Sequence, residues 1–206
     1  MSENERIINS LIKQVSKPGR YCGGEFGQII KDKSKVKARF AFAFPDTYEI
    51  GMSNLGVRIL YDCLNKENDI WCERVYAPWT DMQEKMDEYK VFLWAHESKD
   101  EVRIFDFLGF TLQYEMCYTN VLNMLRLSGI PLYAAERGEE FPLVIGGGPC
   151  AYNPEPIADF FDLFNIGEGE EMLVEIVRLY IKMKAENRYT KADFLHEAAR
   201  TIPGVY

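Results

Sequence analysis

Histidine is almost missing. The 206-residue chain has two, His96 and His196, too few for a histidine-rich metal centre. Its five cysteines, Cys22, Cys63, Cys72, Cys117 and Cys150, are an odd set at wide intervals with no C-x-x-C. That excludes a disulfide framework and a zinc site of ordinary spacing. There is no run of 18 apolar residues, so nothing reads as a membrane span. The polar opening MSENERIINSLIKQ lacks the apolar stretch of a signal peptide, and a cytoplasmic address is expected. Basic residues are in deficit, 24 against 32 acidic, for a net charge of −8, which argues against nucleic acid as a partner. The run Lys31, Lys33, Lys35, Lys37 is expected to be a solvated loop. Repeats, low-complexity tracts and Pro/Gly/Ser linkers are lacking too.

What remains is ordinary globular material, 47% apolar and 27% charged with 14% aromatic, long enough to bury about 70% of its unfolded surface. Residues 1–35 form a lead-in: a helix over 4–15, then the glycine-containing connector YCGGEFGQ. Residues 36–206 alternate strand and helix patterns. Strands are expected at 36–44, 72–78, 91–95, 107–113, 131–134, before the glycines of PLVIGGGP, and at 163–166. Helices are expected at 53–65, with Ser53 as N-cap and Leu55, Ile59, Leu60, Cys63 and Leu64 facing inward, at 80–90 with Thr80 or Asp81 capping, at 119–128 stopped by Gly129, from Glu170 onward, and at 191–201. This alternation implies a single α/β domain of the doubly wound, Rossmann-like type, a mostly parallel sheet with helices on both faces.

In a parallel sheet the loops after the strands converge on one edge, where such folds hold ligands. Three candidates are PDTYEIG at 45–51, Gly146, Gly147 and Gly148 of GGGP, and IGEGE at 166–170 with Gly167, Glu168 and Gly169. Glycine allows close backbone approach. Glu168, Glu170 and Glu171 are expected to complement a helix dipole. His96 with Glu97 is expected in a surface turn, Cys150 as a small buried hydrophobe, and Tyr114, Tyr118 and Tyr152 at a pocket mouth or in the core.

Asp46, Tyr48 and Gly51 fit the D-x-H-x-x-G spacing of cobalamin-binding domains, with tyrosine in place of histidine. Gly147-Gly148 sits where those domains have G-G, and Thr111-Leu112-Gln113 partly matches their S-x-L. The runs FAFPDTYEIGMSNLG, GFTLQYE and VIGGGPCAYNPEPIADFFDLFNIGEGE resemble the N-terminal region of cobalamin-domain radical S-adenosylmethionine proteins, over roughly residues 17–206. The resemblance implies a cobalamin-binding-type fold with cobalamin as the cofactor, held by Asp46, Tyr48, Gly51, Thr111, Gly146, Gly147, Gly148, Gly167, Glu168 and Gly169. A phenol is a poor substitute for imidazole nitrogen, so the cobalt would lack a histidine ligand. The radical family holds a four-iron cluster on C-x-x-x-C-x-x-C, which is not in this sequence. The cluster and S-adenosylmethionine are therefore expected in a catalytic barrel, in cis or on a separate chain, and this chain reads as an excised or separately encoded N-terminal domain, not catalytic by itself. Loss of the cofactor, leaving a docking or substrate-shaping module, and a nucleotide-binding Rossmann-like domain are the alternatives. The sequence is neutral on oligomeric state.

Overall fold

The computed structural model describes residues 3–206; Met1 and Ser2 of the expected lead-in lie outside them. The helices are α1 (Glu3–Ile12), α2 (Tyr48–Ser53), α3 (Leu55–Lys66), α4 (Thr80–Tyr89), α5 (Tyr118–Leu127), α6 (Gly169–Ala185) and α7 (Lys191–Thr201). The strands are β1 (Ala38–Phe44), β2 (Ile70–Tyr76), β3 (Phe107–Thr111), β4 (Leu143–Gly147) and β5 (Leu163–Phe164).

β1, ARFAFAF, shows how the layers arise. Successive strand residues face opposite ways, so Phe40, Phe42 and Phe44 pack on one side of the sheet and Ala41 and Ala43 on the other. Residues of α3, α6 and α7 (Val57, Leu64, Ile176, Val177, Phe194) cover the phenylalanine side. Ile8, Leu11, Met82, Met86, Val121 and Leu125, from α1, α4 and α5, cover the alanine side. All five strands run parallel, in the order β2-β1-β3-β4-β5. The sequence direction therefore reverses between β1 and β3, and the crevice outside their carboxyl ends is where this topology places ligands. The doubly wound α/β architecture is as the alternation implies.

Several local expectations fail for visible reasons. The loop after β1 contains a helix, α2, and the N-cap of α3 is Asn54, whose Oδ1 accepts from Val57 N at 3.0 Å; Ser53 instead donates to Ile50 O. Along α3, Val57, Tyr61, Leu64 and Asn65 are buried while Leu55 and Ile59 are exposed. α4 begins after Trp79 with no side-chain cap, and Asp81 accepts from the Ser16 backbone and hydroxyl. Segment 91–95 forms only a single bridge, Trp94 to Glu101. Segment 131–134 is no strand, because the Pro131 and Leu132 carbonyls turn to accept from Arg137 Nη1 at 3.0 and 2.8 Å. Gly129, with φ +66°, ends α5 as expected.

Both sheet edges are covered. Beside β5 the tail runs antiparallel, Phe164 N donating to Tyr206 O and Tyr206 N to Phe164 O. Along β2 lies the lead-in, where Trp71 Nε1 donates to Ile29 O. Lys31 is not solvated: its ammonium donates to the carbonyls of Asn65, Glu67 and Ile70 around the end of α3. Lys33, Lys35 and Lys37 pair with Asp100, Asp32 and Asp69, so the lysine run makes no free basic patch.

Candidate functional site

A cavity of about 200 Å³ opens on the phenylalanine side of the sheet at the carboxyl ends of β1, β3 and β4. Its floor is Phe40 and Phe42 of β1, Gly109 and Thr111 of β3, and Ile145 and Gly147 of β4; its walls are Leu60 of α3 and Leu173 of α6. Alternation brings 109, 111, 145 and 147 to the same face. Two of these four positions, Gly109 and Gly147, carry no side chain.

The glycines do different jobs. A Cβ at Gly109 would stand 2.5 Å from Phe40 Cζ, so that glycine is required by packing. At Gly147 an added Cβ would meet nothing closer than 3.8 Å. Packing leaves that position free, and a side chain there would fill the cavity. Gly148, with φ +95°, turns the chain where a side chain would be strained and would crowd Leu112 and Thr111 Oγ1.

Thr111, Gly147, Gly148, Gly167 and Gly169 line this cavity together. Glu168 is exposed at the start of α6, beside Glu170 and Glu171 of its first turn. Gly146 faces the other side, where a Cβ would strike the Phe164 ring, and Gly51 is pressed against Tyr76 in the same way. Asp46 ties the β1 and β3 loops across the crevice: its Oδ2 accepts from the Tyr114 hydroxyl at 2.8 Å.

Tyr48 stands apart from the cavity. Its ring stacks on His96, with centroids 5.3 Å apart, and meets Tyr76 edge-on at 5.4 Å. His96 is buried, not in a surface turn; its Nε2 lies 3.0 Å from Glu25 Oε1. Arg74 joins this cluster, pairing with Glu25 Oε2 at 3.1 Å and Glu97 Oε1 at 2.6 Å. Burial first, and then the Glu25 carboxylate, hold the Tyr48 phenol above its ordinary value, so it stays protonated and is no anionic ligand. Burial also pushes His96 down. For Glu25, burial is outweighed by the His96 and Arg74 contacts, which bring its carboxyl to about 2. The slot beside this cluster holds only about 20 Å³, room for one water.

Among the described residues no group of three His, Cys, Asp or Glu could hold a metal ion. Cys150 is half-buried and hydrogen-bonded with Tyr118, and burial raises its thiol. Tyr114 and Tyr152 are exposed.

A family profile described as radical SAM proteins, N-terminal, matches residues 56–206. The chain belongs to this family. The matched stretch of this radical SAM N-terminal domain begins after the Asp46–Gly51 loop and contains the cavity residues from Gly56 onward. The domain is also similar to an uncharacterised protein of Methanocaldococcus jannaschii, 26% identical over 146 residues. That alignment takes 69% of this chain and 27% of the relative, so the chain spans about a quarter of the relative's length. No solved structure matches. No helix among the described residues is long and apolar enough to cross a membrane.

Among the cavity residues that sequence reasoning missed in this domain are Gly109, Leu60 and Asn165. Gly109 carried a signal, being a lone glycine within an apolar strand. Asn165 carried one too, a polar residue two positions beyond Leu163 on the same face.

Proposed function

We propose that this domain holds a corrinoid over the carboxyl ends of its strands, with no histidine beneath the cobalt, and presents it to a radical S-adenosylmethionine barrel in the same polypeptide or on a separate chain. The four-iron cluster and S-adenosylmethionine belong to that barrel, and the domain alone performs no radical chemistry. The observation that carries this reading is Gly147, which packing does not require and whose missing side chain opens the cavity. Its fit to a whole corrin is partial. Ligand pockets usually measure about 300–1,000 Å³, so the cavity, at about 200 Å³, would take only a ring-sized part of the cofactor. Thr111, Gly147, Gly148, Gly167 and Gly169 would hold the inserted part. A bound corrinoid supplies cobalt-centred chemistry; the domain's residues bind and orient it. Tyr48, turned into the His96 cluster, offers no lower ligand.

A cofactor-free docking module is the second reading. Leu55 at the start of α3, and Met116 and Tyr152 in short helical turns after β3 and β4, are exposed at the same edge, and they suit an apolar partner surface. Incubation with hydroxocobalamin followed by gel filtration separates the two. The corrinoid reading requires a protein-bound corrin spectrum without a histidine ligand. If no corrin is retained even with the barrel present, the docking reading stands.

A further inference from the structure

One polar side chain in the cavity is left unanswered by the protein. Asn165 is 4% exposed, and its Oδ1 is buried with no hydrogen-bond partner among the described residues. Its amide nitrogen lies 3.6 and 3.8 Å from where a Cβ would stand at Gly169 and Gly147, both cavity glycines. Buried polar atoms are nearly always paired, by protein or by a bound molecule. The other amide lining the cavity, Gln113, already donates to Thr111 Oγ1 at 2.5 Å.

The surroundings limit what can answer it. Phe40, Phe42, Leu60, Ile145 and Leu173 supply apolar surfaces, and the one charged lining residue is acidic, Glu170. Glu168 and Glu171 stand beside it at the start of α6, so a phosphate there would meet like charge. An anion is therefore disfavoured, and the apolar walls and a volume of about 200 Å³ suit an uncharged ring system of one fused-ring size with a polar edge. A carboxamide presents an acceptor and a donor side by side, and whichever way it is turned it is complementary to an amino group next to a ring nitrogen, as on adenine.

We propose that the cavity binds a neutral purine base by its amino edge, with Asn165 as the residue that selects it. The base arrives either as a free nucleoside or as the base of a corrinoid's nucleotide tail. Only the second source rests on the reading above.

The test is calorimetric titration of the full chain in two arms. One compares adenosine with purine riboside, which lacks the amino group. The other compares corrinoids whose tails end in adenine or in dimethylbenzimidazole. A preference for the adenine ligand of about ten- to a hundredfold is expected, and Asn165→Ala should abolish it. If that variant does not fold, Leu60→Trp, which fills the cavity from α3, should abolish binding of the adenine ligand. A preference in either arm that disappears in the variants supports the assignment. No preference in either arm, or one that survives Asn165→Ala, overturns it. Equal, Asn165-independent binding of both corrinoids would overturn it and leave the corrinoid reading standing. Asn165-dependent adenosine binding with no corrinoid bound would do the reverse.

Discussion

Tyr48 lies face to face with His96, the planes 19° from parallel, and His96 in turn holds Glu25 from the lead-in at 3.0 Å. The residue at the histidine position of the loop is thus committed to closing the β2 edge. Tyr48→Ala should cost about 1–3 kcal/mol, below the range for a fully buried aromatic, while corrinoid or nucleoside affinity stays unchanged. Urea unfolding and titration of the same variant check both halves.

Acid should loosen this edge in two windows. His96 titrates near 6.5 when unfolded and lower when folded, so its contribution is complete above that pH and falls as pH drops below it. Glu25 goes from 4.5 unfolded to about 2 folded, so its contribution is lost between those values. Urea midpoints measured against pH should decline below pH 6.5, and His96→Gln should remove the first decline and shrink the second, because His96 is the main group that holds the Glu25 carboxyl down.

The two cavity-floor glycines should separate fold from binding. Gly109→Ala drives a Cβ into Phe40 and should cost about 1–3 kcal/mol through overpacking. Gly147→Ala meets only ordinary contacts, so its stability should stay within about 1 kcal/mol of the parent while ligand affinity falls. Unfolding and titration of both variants test the contrast.

Asp162 gathers Arg137, Lys191 and the Val144 amide around an enclosed carboxylate. Asp162→Ala leaves the buried Arg137 without its counter-charge and should cost about 3–5 kcal/mol, read as a lower urea midpoint with an unchanged slope.

Local patterns carried the layers of this fold. The strand expected at 36–44 forms as β1 over Ala38–Phe44, and α7 occupies residues 191–201 as its periodicity implies. The glycines Gly147, Gly148, Gly167 and Gly169 could be assembled by topology alone, because parallel strands send their loops to one edge. What could not be read depends on contacts distant in sequence. Nothing near His96 announces Glu25, 71 positions earlier, or says that Tyr48 will face it. Likewise the ammonium contacts of the half-buried Lys31 follow from the end of α3 lying beneath it, which no lysine-rich window reveals.

The central claim is that the strand-edge cavity is where the ligand enters. Corrinoid retention by the parent chain and by Leu60→Trp, read from the visible spectrum after gel filtration, tests it most directly. The account predicts a bound corrin on the parent and none on a folded Leu60→Trp. Equal retention by both would contradict it.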